Sequence, residues 1–219
     1  MATKTSIRPE AAFGVLQQFA RRPRPLEQCE LCSVELASDH SHLLEPASRK
    51  LVCSCDACAL LFSARSGARF KRVPKRVRLL PNFHLSDAQW NNLMIPINMA
   101  FFFHSSTEGR VVAMYPSPAG ATESLLSLES WSEIARANPH LQHMEADVEA
   151  LLVNRVGHAR GFTAAEYYIL PIDQCFKLVG LIRRQWRGFS GGTEVWQRIA
   201  DYFEQLRRHA TVLGEHGHA

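Results

Sequence analysis

The sequence predicts an α+β protein in two parts, a small cysteine-clamped module followed by a larger domain with a β-hairpin, a third strand and several helices. Three observations carry that reading. Five of the six cysteines fall between positions 29 and 58, four of them as two C-x2-C pairs. The apolar period then changes from dense strand-like runs in 97–115 to a helical i, i+3/i+4 stripe in 195–206. Prolines and capping residues punctuate the chain between them.

At 219 residues, 46% hydrophobic and 21% charged, the chain suffices for one ordinary domain with a small appendage, and its composition excludes disordered, collagen-like and fibrous classes. The net charge of +4 conceals an asymmetry: residues 1–80 carry 14 Lys+Arg against 7 Asp+Glu, whereas 81–219 carry 11 against 14. No run reaches the roughly 18 apolar residues of a spanning helix, since Pro96 and Asn98 interrupt Leu93 to Phe103. Gln17 and Gln18 break Ala11 to Ala20, and its arginines follow it, the reverse of a secretory signal, so a cytoplasmic protein is expected.

Residues 1–26 are expected to form a helix and linker: Phe13, Val15, Leu16, Phe19 and Ala20 have helical spacing, and Pro23 and Pro25 end it. Residues 27–79 form the metal-binding module and 80–212 the α+β domain, with a disordered tail at 213–219. Within the domain, Ser86-Asp87-Ala88-Gln89 is a capping box that starts a helix stopped by Pro96. Ile97 to Phe103 and Val111 to Tyr115 form a hairpin around Ser105 to Gly109. Ser130-Trp131-Ser132-Glu133 reads as a second capping box, with its helix ending at Asn138-Pro139, and 145–153 repeats that helical pattern through Val148, Leu151 and Leu152. Tyr167 to Ile172 is a third strand, Asp173 caps an apolar helix to Trp186, and Val195 to Leu206 is the last helix.

The strongest chemical signal is Cys29-Glu30-Leu31-Cys32 followed by Cys55-Asp56-Ala57-Cys58. Two thiolates three positions apart across a tight turn can face one ion, and two such pairs complete a tetrahedron. Cys29, Cys32, Cys55 and Cys58 are therefore the expected ligands of a zinc-ribbon or rubredoxin-like site. Zinc and iron both suit four thiolates. Rubredoxins place glycine after each pair, where this chain has Ser33 and Ala59, so zinc is preferred and iron is the alternative. A closed four-cysteine zinc is structural, since it offers no open position. Cys53, on a strand entering the second pair, is expected to project away from Cys55 as an additional thiol outside the ligand set, a buried small hydrophobe in preference to a substitute ligand or a thiol kept for chemistry; Cys175 is expected in the core.

Arg65, Arg69, Lys71, Arg72, Lys75, Arg76 and Arg78 form a basic run without an acid. Docking on a protein partner is favoured for it over nucleic acid, because only Phe70 interleaves as a stacking aromatic. His40 and His42 stand between the cysteine pairs, where nucleases of the treble-clef class carry a catalytic histidine; no later ligand histidine follows Cys58, so both are expected as solvent-facing loop residues. Pro116 to Ser124 reads as a rigid loop able to carry a binding surface. Gly188 to Gly192 reads as a turn, and Trp131, Trp186 and Trp196 as core.

Cys29-Glu30-Leu31-Cys32, His42-Leu43-Leu44, the block Leu51 to Phe62, Tyr115 to Ser124, Pro171-Ile172-Asp173 and Trp186 to Gly192 together resemble an uncharacterised bacterial family, a domain of unknown function encoded beside actinobacterial-type NiFe hydrogenases. The likeness covers about residues 27–208. It implies a context in which a small protein helps assemble or mature the hydrogenase, serves as one of its subunits, or passes electrons from it. The expected function is thus a metal-binding accessory protein whose partner is a NiFe hydrogenase subunit or maturation protein, with a rubredoxin-like electron carrier and a zinc-containing nucleic-acid binder as alternatives. No nucleophile and base stand out that would make it an enzyme.

Overall fold

The structure is a computed structural model that describes residues 27–65, 67–124, 128–158, 164–188 and 190–213. The expected N-terminal helix and the tail beyond 213 lie outside these residues.

The front module is built from β1 (Ser41–Glu45), β2 (Lys50–Ser54), α1 (Asp56–Ser63) and β3 (Lys71–Arg72), with a small sheet ordered β2-β1-β3. The large sheet takes β4 (Arg78–Leu79), β5 (Met99–Ser105), β6 (Arg110–Ser117), β7 (Gly120–Ser124), β8 (Glu149–Asn154), β9 (Glu166–Pro171) and β10 (Thr211–Val212) in the order β10-β4-β9-β8-β5-β6-β7. All its pairings are antiparallel except β10 beside β4. Helices α2 (Asp87–Asn92), α3 (Leu128–Ala137), α4 (Ile172–Gln185) and α5 (Gly192–His209) complete the domain.

Strand alternation separates two cores. Phe101, Phe103, Leu152, Tyr168 and Leu170 face α4 and α5, meeting Leu178, Ile182, Val195, Ile199 and Phe203. Their neighbours Phe102, Leu151, Val153 and Ile169 face α2 and α3, meeting Trp90, Leu93, Trp131 and Ile134. The sheet therefore lies between helices on both faces, and Leu44 and Val73 of the module join the α4–α5 side.

The capping box is present: Ser86 Oγ accepts from the Gln89 N–H while the Gln89 side chain accepts from the Ser86 N–H. The hairpin and third strand form as expected. Other readings are corrected. Residues 149–154 are a central strand, not a helix, because a strand covered on both faces needs a continuous apolar run. Pro116 to Ser124 is the β6–β7 hairpin, not a loop. Helix α3 begins at Leu128, so Ser130 lies inside it, and α4 begins at Ile172 after Pro171, so Asp173 lies in its first turn and does not cap it. Leu213, expected in the tail, donates its N–H to the Leu79 carbonyl at the sheet edge. Among the described residues no helix is long and apolar enough to cross a membrane.

Candidate metal centre

The first cysteine pair sits in a tight turn closed by a bridge between Gln28 and Glu35. The Cys29 N–H donates to the Val34 carbonyl, and the Ser33 N–H donates to the Cys29 carbonyl, both at 2.8 Å. Ser33 takes φ 62°, the left-handed conformation that glycine adopts without cost. The turn usually served by glycine is made here with serine.

The second pair is held differently. Cys55 is the N-cap of α1, with its sulfur accepting from the Cys58 N–H at 3.4 Å, and Cys58 lies in the first turn. Ala59 is helical, so no glycine is required after this pair. The order is knuckle, hairpin, helix, and the Cys58 N–H in the first turn of α1 points at the Cys55 sulfur, which favours negative charge there.

The four sulfurs lie within 4.8 Å of one another, with Cys32 and Cys55 at 3.7 Å. Zinc–sulfur bonds of about 2.3 Å in a tetrahedron set sulfurs about 3.8 Å apart, whereas a disulfide requires about 2.05 Å. All four are free thiols, and the group could hold a metal ion. Cys29 and Cys58 are buried and Cys32 is exposed. Burial acts to raise the Cys29 thiol, but backbone bonds from Cys55, Leu31 and Cys32 outweigh it and bring it down to about 6. Burial and the neighbouring thiols push Cys58 up to about 12. Metal binding at such a cluster displaces the thiol protons.

Cys53 does not join this group. Strand alternation is not the reason, since positions two apart share a face. The strand ends at Ser54, and Cys55 turns off into the helix cap. The Cys53 backbone instead secures the knuckle, its N–H donating to Glu30 Oε1 and its carbonyl accepting from the Glu30 N–H, each at 2.9 Å. Burial, then Glu30 and Glu27, push its thiol up. Its side chain meets His40 and His42, a cluster the sequence reading passed over. Neither histidine is a solvent-facing loop residue: the His40 side chain is 7% exposed, and His42 lies on β1 opposite Cys53 with Nδ1 2.8 Å from Asp173 Oδ2. The signal was the H-x-H spacing, which in extended chain places both rings on one face.

The basic run is largely matched by acids. Arg69 meets Glu45 at 2.5 Å, Lys71 meets Asp147 at 2.6 Å, Lys75 meets Asp39 at 3.0 Å, and Arg72 lies 3.9 Å from Asp56. Arg76 reaches Glu145 and Glu149, and Arg78 reaches Glu149. Exposed Arg65 follows α1. Lys71 thereby joins the module to the chain at the start of β8, and Arg76 and Arg78, further along, hold the same segment. Cys175 is buried as expected, whereas Trp196 is 42% exposed and, with Tyr115, Pro116 and Trp186, lines an apolar cavity of about 620 Å³.

The model of a family of unknown function, DUF5947, matches residues 28–210. The chain belongs to that family. The match spans both the thiol cluster and all strands of the large sheet except β10. No curated protein and no solved structure matches the chain.

Proposed function

We propose that this protein is a cytoplasmic, zinc-binding accessory protein of a NiFe hydrogenase, acting in assembly or maturation by binding a hydrogenase subunit or maturation protein. The hydrogenase context rests on the resemblance of the cysteine block and the Tyr115 to Ser124 segment. The observation that carries the binding role is the apolar outer face of α1. Leu60, Leu61 and Phe62 are 58%, 72% and 41% exposed, directly after the thiol cluster that would hold the helix in place. Leu61 and Phe62 share a groove with Leu31 and Phe70. Exposed apolar surface of this kind marks contact sites. The basic run contributes less, because its cations already answer acids within the chain. The same pairing disfavours a nucleic-acid role, in which phosphates would have to displace those acids.

Zinc is preferred because the second pair starts a helix and the closed four-sulfur set serves structure. Exposed Cys32 favours one second reading, an iron electron carrier, since electron exchange needs a ligand near solvent. An absorption spectrum separates the two: the zinc protein is colourless and the iron protein coloured. The test of the main reading is co-purification with hydrogenase subunits from the native host, compared with Leu61→Glu. Retention by the parent and loss in the variant is expected. Full hydrogenase maturation in cells lacking the protein would remove the accessory role.

A further inference from the structure

We propose that His40, His42 and Cys53 form a second metal site, distinct from the four-cysteine cluster, that holds a zinc-type dication with one coordination position open. The three donor atoms lie within 4.8 Å of one another. Strand register brings two of them together: His42 on β1 is the direct partner of Cys53 on β2. His40, just before β1, sets its ring 4.8 Å from that of His42.

Hydrogen bonding selects which nitrogens keep a lone pair for a metal. His40 Nδ1 lies 2.9 Å from the Ala37 carbonyl, an acceptor only, so this nitrogen carries the proton and Nε2 is the lone-pair atom. His40 Nε2 is buried without a hydrogen-bond partner on a side chain only 7% exposed. A buried acceptor left unpaired is costly, and a cation at this point would satisfy it. His42 Nδ1 contacts Asp173 Oδ2 at 2.8 Å, which leaves its Nε2 for the metal. An imidazole supported by a carboxylate on its far nitrogen is the usual environment of a metal-ligating histidine. Asp173 is placed for this by the first turn of α4, whose N-terminal amides favour its negative charge.

The donor set is two nitrogens and one sulfur, which suits zinc and its neighbours rather than magnesium or calcium. Three protein ligands leave the fourth tetrahedral position for water or another ligand, the pattern of reactive rather than structural zinc. Tetrahedral zinc sets two nitrogens and a sulfur about 3.4–3.6 Å apart, so closure requires the donor atoms to draw together by at most about 1.4 Å. The site opens to a cleft of about 590 Å³ between the module and α4, bordered by Lys75, Gln174 and Lys177. The two metal positions thus have different characters: one closed by four thiols, the other reachable from a cleft.

Titration of the reduced, metal-free full-length chain with Co²⁺, then with Zn²⁺ in competition with a chromophoric chelator, tests the site. The parent is expected to take two equivalents. Cys53→Ala and His40→Ala are each expected to take one, with the intense thiolate bands of the four-cysteine site retained. Asp173→Ala should keep both but weaken the second by about 10–100-fold. Saturation of the parent at one equivalent that survives in Cys53→Ala and His40→Ala, or a second equivalent that persists in both ligand variants, overturns the proposal. The thiolate bands of the four-cysteine site are read separately in Cys53→Ala, so failure of the four-cysteine reading, in which those bands are missing, is distinguishable.

Discussion

Arg78 makes a two-point contact with Glu149, both carboxylate oxygens lying 2.8 Å from the guanidinium, on a glutamate side chain with no exposed surface. Arg76 Nε reaches the same carboxylate at 2.8 Å, and the Glu145 N–H donates to it at 2.9 Å. A buried charge with every partner in place is held; with one partner removed, the remainder stays desolvated and unmatched. The segment linking the module to the large sheet is therefore anchored at one residue of β8.

Glu149→Ala should cost about 3–5 kcal/mol of stability, because it strands the largely buried Arg78. Chemical denaturation measures it. A loss below about 1 kcal/mol would mean that the arginines find solvent instead.

Lys71 and Asp147 give a pH signature. Burial alone would raise the Asp147 carboxyl, but the Lys71 ammonium and two bonds from Ser106 outweigh it and hold it below the ordinary value of 3.8. A carboxyl depressed in the folded state adds stability above the unfolded-state value and loses it as pH falls through the folded one. The gap in Tm between parent and Asp147→Asn should be constant from pH 5 to 7 and shrink below about pH 4. A gap independent of pH would show that the pair is not felt in the folded protein.

Gly191, at φ 83° before α5, has no room for a side chain: a Cβ would lie 2.8 Å from Val195 Cγ1 and 3.0 Å from the Trp186 ring. Gly191→Ala combines that clash with an unfavourable backbone conformation, so a loss of about 1–3 kcal/mol is expected. The near-ultraviolet circular dichroism of the Trp186–Trp196 pair, whose rings lie 6.1 Å apart, should change with it.

Elements governed by local chemistry were legible in the sequence. Ser86 and Gln89 satisfy each other's backbone within one turn, and the stripe from Val195 to Leu206 needs only its spacing to announce α5. The two C-x2-C pairs were equally local. What escaped depended on partners distant in sequence. Leu151 and Leu152 fit a helical stripe as well as a strand until helices are known to cover both faces of β8. Pro116 reads as a loop residue, yet it lies beyond the β5 pairing of β6, where a missing N–H is tolerated. The histidine–cysteine cluster depends on the β1–β2 register and on Asp173, more than a hundred positions later in the chain. The charges of the basic run find their acids as far away as β8, which no local window reveals.

Removing one ligand of the four-cysteine site should loosen the module more than the domain. In Cys55→Ser, amide hydrogen exchange is expected to rise across residues 27–62 and stay low in β5, β8 and β9, since zinc binding worth about 10–16 kcal/mol in small modules is what their limited core lacks. Uniform protection like that of the parent would show that the module folds without metal.

The most direct test is elemental analysis of Cys53→Ala protein, in which the histidine cluster cannot contribute, beside the same protein carrying Cys55→Ser as well. One zinc per chain, without visible colour, is expected in the first and none in the second; a chain that purifies without metal, carries stoichiometric iron, or keeps its zinc after Cys55→Ser contradicts a structural zinc held by the four cysteines.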